Sequence, residues 1–195
     1  FVTYDVMGQS MENWKKHVPL QLSLSRIYVL PLFFILFQYD TLLANLTASL
    51  LFIAASITDY YDGHFARKWN LVSTTGKFID PVTDKILVTG VLILLVARLR
   101  IDPYSVIILL SRDTIIGGLR SIAAAEQIII DAKATGKWKT GMQMVAIPCL
   151  LLHPLTPPLD YLNLIGRVIL WVSVVLSIVS AVEYWKIFKG RTKNV

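Results

Sequence analysis

The sequence is poor in charge, cysteine and histidine, and each shortage excludes something. Charged residues make up 16% of the 195 positions, against 55% hydrophobic ones, and the mean hydropathy is +0.60. A chain this apolar is not an ordinary soluble domain; the composition implies one compact integral membrane domain. Cys149 is the single cysteine and lies in an apolar run. No internal disulfide can form, and the residue reads as a small core side chain. His17, His64 and His153 show no metal-ligand spacing. No internal repeat and no low-complexity tract is visible. The first residues lack the charged start and long apolar core of a cleavable signal peptide. Residues 1–10 are expected to be an extension outside the folded domain, which runs from 11 to 195.

The charge that is present is biased, with a formal net charge of +6. In a membrane chain this excess orients the helices and meets anionic headgroups, so no nucleic-acid partner is implied. Met11 to Leu22 reads as an amphipathic interfacial segment, interrupted by Pro19. Six apolar segments follow, near Leu22–Tyr39, Leu42–Tyr60, Phe78–Ala97, Tyr104–Ala125, Met142–Leu152 and Leu162–Trp185. Several reach spanning length only with their charged ends included, and the fifth extends back through the Lys137 region to do so. The expected fold is therefore all-α, an integral membrane six-helix bundle with an N-terminal interfacial segment. Lys15, Lys16, Arg67, Lys68, Lys77, Lys137, Lys139 and the C-terminal lysines share one side if the helices alternate. The positive-inside rule makes that side cytoplasmic. Pro154, Pro157 and Pro158 mark a turn on the opposite side.

Four carboxylates at helical spacing dominate the remainder: Asp59 and Asp62 close the second segment, Asp80 and Asp84 open the third. Residues three or four apart share a helix face, so each pair points one way. A short connection between the segments lets all four converge. Acids at a membrane edge are costly, and four together need a counter-charge. Two divalent cations would supply it and could clamp a pyrophosphate. Gly63 permits close approach of a ligand, Ala66 keeps that face open, and Arg67 can grip phosphate oxygens. Simple pairing of these acids with Arg67, Lys77 and Lys85 is the plainer reading, and four acids at this spacing argue against it.

The pattern Asp59-x2-Asp62-Gly63-x2-Ala66-Arg67-x8-Gly76-x3-Asp80-x3-Asp84 resembles the signature of the CDP-alcohol phosphatidyltransferases. Eight positions with matching gaps make this a specific likeness. The resemblance implies six membrane helices, a homodimer, two divalent cations (Mg²⁺ or Mn²⁺) and a CDP-linked lipid donor such as CDP-diacylglycerol. It implies that Asp59, Asp62, Asp80 and Asp84 bind metal and that Asp62, Gly63, Ala66, Arg67 and Gly76 bind the donor. It also implies that Asp84 is the catalytic base and that CMP leaves when an alcohol attacks.

A second basic set, Arg112, Arg120, Lys137 and Lys139, could bind a phosphate on the acceptor. Gly118-Leu119-Arg120, Gly136-Lys137-Trp138-Lys139-Thr140 and Gln143-Met144 are similar to the phosphatidylglycerophosphate synthase branch of the family. That likeness implies sn-glycerol 3-phosphate as acceptor and a bacterial inner membrane with the site facing the cytoplasm. Ser111-Arg112-Asp113 departs from that branch, which usually carries Glu after the arginine, and is similar to cardiolipin synthases, whose acceptor is phosphatidylglycerol. A cation or proton-coupled transporter is the reading from another class. Against it, the acids cluster at one membrane face and leave no ionisable path across the third helix beyond Lys85. A silent lipid-binding scaffold is a third, and the intact eight-position pattern speaks against that.

Overall fold

In the computed structural model the backbone is described for residues 28–39, 41–68, 74–125, 134–152 and 160–192, and side chains for 28–39, 41–58, 85–123, 135–152 and 161–190. Every regular element among these is helical: α1 over 28–36, then α2 Leu42–Lys68, α3 Thr74–Ala97, α4 Pro103–Ala125, α5 Ala134–Leu151 and α6 Asp160–Thr192. The segment Met11–Leu22, residues 1–10 and the Pro154–Pro158 turn lie outside the described residues.

Helices run past the apolar segments wherever polar residues continue the turn. α2 extends eight residues beyond Tyr60 and so contains Asp62, Gly63, Ala66 and Arg67. α3 starts four residues before Phe78 and contains Gly76. α5 begins eight residues before Met142, bringing Lys137 and Lys139 onto the helix, and tolerates Pro148 near its end. Hydropathy ends where the membrane ends; the backbone hydrogen-bond ladder does not.

The helix ends are read from local chemistry. Thr41 caps α2, its hydroxyl accepting from the Ala44 N–H at 3.2 Å. Asp102 caps α4 in the same way, accepting from the Ser105 N–H at 2.8 Å, with Pro103 in the first helical position. α3 closes with Leu99 at φ 56°. The Arg100 N–H donates to the Leu95 carbonyl and the Leu99 N–H to the Val96 carbonyl, the two bonds of a Schellman motif with leucine where glycine is usual.

The chain divides into two compact units, Phe1–Leu94 and Leu95–Val195. In the first, α1 lies against α3: a Cβ added at Gly90 would stand 2.5 Å from a methyl of Leu30. Phe33, Phe52, Leu87, Val91 and Leu92 are buried there.

The second unit is built around α6. α5 packs antiparallel along it, Thr135 donating to Glu183 at one end and Gly166 meeting Leu150 and Cys149 at the other. α4 runs parallel to α6, Arg112 reaching Ser177 and Ser180 while Ile116 and Leu119 pack on Tyr184 one turn later. Up-down-up alternation thus holds for these three helices. The Arg100 side chain donates to the Leu151 carbonyl at 3.0 Å, placing a cation at the negative end of α5.

The surface is apolar. Tyr161–Gly190 of α6 is long and apolar enough to cross a membrane, and Leu42–Thr58 and Lys85–Ala97 are shorter apolar stretches. Exposed Ile, Leu and Val occur on α2, α4 and α6 alike, an area that water would not tolerate on a monomer. Hydroxyls on these helices bond to their own backbone: Thr47 to Leu43, Ser56 to Phe52, Thr58 to Ala54 and Thr114 to Leu110. Such bonds satisfy the donor without water, as a hydrocarbon environment demands.

Candidate active site

The four-carboxylate motif falls on two continuous helices. Asp59 and Asp62 lie in the C-terminal part of α2 with Gly63, Ala66 and Arg67. Asp80 and Asp84 lie in the N-terminal half of α3, following Gly76. Helical backbone through both stretches gives each acid pair a shared face by register, the feature the spacing predicts. The side chains of these residues lie outside the described ones. The donor set is four carboxylates, hard oxygen ligands of the kind a divalent cation takes, so the residue types fit such an ion.

The second basic set belongs to the Leu95–Val195 unit, where side chains are described. Lys139 on α5 and Arg112 on α4 converge on Asp113. The Lys139 ammonium is 2.5 Å from Asp113 Oδ1 and 2.6 Å from Oδ2. Arg112 Nη1 donates to the same Oδ1 at 3.0 Å. From its other side Arg112 is held by α6, Nε donating to the Ser177 carbonyl at 3.2 Å and Nη2 to the Ser180 hydroxyl at 2.9 Å. The Lys139 side chain is 4% exposed, Arg112 14% and Asp113 26%. An ammonium this buried requires a carboxylate beside it, and Asp113 provides it. Among the described residues one acid, Asp113, stands against these two cations, an arrangement that suits an anion.

Arg120 and Lys137 are placed differently. Arg120 is exposed, its guanidinium carbon 5.6 Å from the centroid of the Tyr184 ring, a cation–π contact. Lys137 is also exposed, one turn before Thr140 on α5. Arg112 and Arg120 both meet α6, as their eight-residue spacing on one helix implies. Arg112 lies near the middle of α4 and Arg120 in its C-terminal half, while Lys137 and Lys139 lie in the N-terminal half of α5, away from the end marked by Arg100 and Leu151.

Reading the sequence for cations overlooked Asp113, Ser180 and Tyr184 as partners. The signal for Asp113 was present: an aspartate inside an apolar helix needs a counter-charge. The signal for Ser180 and Tyr184 was not, because they are 68 and 64 residues from their arginines. The hydroxyls of Ser177 and Tyr184 are buried without a hydrogen-bond partner among the described residues. An apolar groove of about 610 Å³ runs along α6 past Arg167, Val168, Trp171, Val172 and Val175; no carboxylate lines it.

The model of the CDP-alcohol phosphatidyltransferase family matches residues 16–179, most of the chain and parts of both units. The chain belongs to this family. It is therefore a transferase, and with α6 able to span a bilayer it is a membrane protein. Among its curated relatives, a Rickettsia typhi protein is 37% identical over 174 residues, covering 89% of this chain and 98% of its own length. A Bacillus subtilis protein is 37% identical over 182 residues, 87% and 93% respectively. One from Haemophilus influenzae is 33% identical over 180 residues, 90% and 95%. Each of the three is named CDP-diacylglycerol--glycerol-3-phosphate 3-phosphatidyltransferase.

Proposed function

We propose that this phosphatidyltransferase joins the phosphatidyl group of CDP-diacylglycerol to sn-glycerol 3-phosphate, giving phosphatidylglycerophosphate and CMP. The relatives' shared name supports the pair of substrates. The observation that carries the acceptor is the convergence of Arg112 and Lys139 on Asp113, two cations from different helices held together at a partly buried site that suits a phosphate. A neutral alcohol would bring no anion to those cations.

Asp59, Asp62, Asp80 and Asp84 would hold divalent cations, Mg²⁺ or Mn²⁺, which when bound neutralise charge on the donor pyrophosphate. Arg67 adds a planar fork to the same phosphates, and Gly63, Ala66 and Gly76 leave room for the nucleotide. Asp84 accepts the proton of the primary hydroxyl of glycerol 3-phosphate. The hydroxyl oxygen forms a bond to the lipid-side phosphorus, the bond from that phosphorus to the bridging oxygen breaks, and CMP departs with the electron pair. Arg112, Arg120, Lys137 and Lys139 hold the acceptor phosphate and so align the hydroxyl.

The parallel course of α4 and α6, with α5 antiparallel, supports a six-helix bundle. The gathering of Arg120, Lys137 and Lys139 at one end supports a cytoplasmic site in a bacterial inner membrane. The homodimer is proposed on family resemblance alone.

The test is CMP release by the purified protein with CDP-diacylglycerol and, in parallel, glycerol 3-phosphate, phosphatidylglycerol, glycerol and inositol. Glycerol 3-phosphate is expected to be the preferred acceptor. Preference for phosphatidylglycerol would reassign the protein to cardiolipin synthesis, and absence of CMP with every alcohol would overturn the transferase chemistry.

A further inference from the structure

One face of α6 is buried and the opposite face is not. Leu170, Ser173, Val174 and Ser177 are buried, on the side where Arg112 reaches the Ser177 carbonyl. On the far side Val168, Trp171, Val172 and Val175 are between 43% and 58% exposed. These four and Leu176 line the apolar groove of about 610 Å³, and Arg167 stands at its N-terminal end. The groove follows from helix geometry, because residues four apart form ridges along a helix surface. Arg167, Trp171 and Val175 make one ridge, Val168, Val172 and Leu176 the next, and the furrow lies between them.

Arg167 is exposed and makes no hydrogen bond or ion pair among the described residues. The sequence around it sets its depth. No charged residue stands between Arg167 and Glu183, and Lys186 begins the C-terminal basic run. A hydrocarbon core of about 30 Å takes about 20 helical residues. Counted back from Lys186, a span of that length ends at Arg167. Arg167 therefore stands at the level of the lipid headgroups. Its neighbour Gly166 meets Leu150 at the C-terminal end of α5, so this is the membrane face away from Lys137 and Lys139. From Arg167 to Leu176 the groove descends about 14 Å, at about 1.5 Å per residue. One leaflet of hydrocarbon is about 15 Å deep. An arginine at that edge turns its guanidinium to the interface, where its charge calls for an anion.

We propose that this face of α6 binds one anionic phospholipid, its phosphate on Arg167 and an acyl chain lying in the groove past Trp171 to Leu176. Charge decides between the two occupants that a membrane offers. Copies of one chain inserted with the same topology are related by an axis along the bilayer normal, which brings equivalent residues to the same depth. A second α6 on this face would set arginine against arginine. A phospholipid brings an anion to the guanidinium and hydrocarbon to the furrow. The lipid held there belongs to the leaflet away from Lys137 and Lys139, and its binding calls on none of the proposed catalytic residues.

Trp171 reports the groove directly. The purified protein is reconstituted in phosphatidylcholine vesicles with increasing fractions of phosphatidylglycerol or phosphatidylcholine brominated on the acyl chains, which quenches indole fluorescence on contact. Trp171→Phe, treated alike, subtracts the other tryptophans. The Trp171 signal is expected to be half-quenched at a mole fraction of brominated phosphatidylglycerol about fivefold lower than that of brominated phosphatidylcholine, the effect of one basic residue on an anionic lipid. Arg167→Gln is expected to remove this preference and Arg167→Lys to keep most of it. Both changes alter an exposed side chain, and an unchanged unfolding temperature in detergent confirms that the variants fold. Equal quenching by the two lipids overturns the proposal, as does a preference that survives Arg167→Gln. Quenching by neither lipid overturns it in favour of a protein contact over the groove. No readout uses CMP release, so this proposal and the transferase reading fail separately.

Discussion

Arg120 stands over the ring of Tyr184, its guanidinium carbon 5.6 Å from the centroid, and makes no hydrogen bond or ion pair among the described residues. The contact holds a cation in place without occupying its N–H groups, whereas Arg112 commits three of its own. Arg120 thus keeps more of its N–H groups available to a phosphate than Arg112 does. Arg120→Gln is expected to raise the KM for glycerol 3-phosphate roughly ten- to a hundredfold, the loss of one charge-assisted hydrogen bond of about 1.5–3 kcal/mol. Donor KM should stay within about twofold. Tyr184→Phe keeps the ring and should change little, while Tyr184→Leu should give part of the Arg120→Gln effect. Steady-state kinetics with each substrate varied in turn would check all three.

Asp84→Asn is expected to abolish turnover while preserving the fold and most donor binding. The amide retains an oxygen of similar placement and loses the capacity to take a proton. CMP release at the wild-type rate would remove Asp84 from the mechanism.

Asp59→Ala or Asp80→Ala is expected to weaken divalent-cation binding and to leave activity that a moderate excess of Mg²⁺ does not fully restore. Removing one ligand of an oxygen cage costs affinity and leaves the remaining acids to repel one another. Titration calorimetry with Mn²⁺ on the purified variants measures this directly; unchanged binding in both would refute the metal assignment. Chelation of the wild type should stop CMP release, and added Mg²⁺ or Mn²⁺ should restore it.

Gly166 marks a close approach of α5 and α6. A Cβ there would lie 2.9 Å from Leu150 Cγ, 3.0 Å from Cys149 Cβ and 3.2 Å from the Ala146 carbonyl oxygen. Close backbone approach through small residues is how membrane helices gain packing energy. Gly166→Ala is expected to destabilise by about 1–3 kcal/mol, the cost of overpacking. Gly141→Ala, with nothing within 4 Å of the new methyl, is expected to be neutral or stabilising by up to about 1 kcal/mol. Thermal unfolding in detergent would rank the two.

Local features of this protein were legible because helix geometry is local. The spacing of Asp59, Asp62, Asp80 and Asp84 implies shared faces on any helix that contains them, and α2 and α3 do contain them. The family likewise follows from those residues and their gaps, since the chemistry of a phosphate site restricts which side chains can stand there. Helix ends were less legible: α2 and α5 each run eight residues past their apolar segments, because hydropathy reports the solvent and not the hydrogen-bond ladder.

What the sequence by itself determined is therefore an all-helical membrane transferase with its acids and cations in known register along each helix. Only the tertiary structure decided how those helices are turned towards one another. Lys139 meets Asp113 across 26 residues, and Arg112 meets Ser180 across 68. Apolar residues face outward as well as inward on α4 and α6, so periodicity does not say which side of a membrane helix is buried. That choice is made by side-chain pairing between helices. Here a buried ammonium needs a carboxylate, and an arginine needs acceptors that hydrocarbon cannot supply.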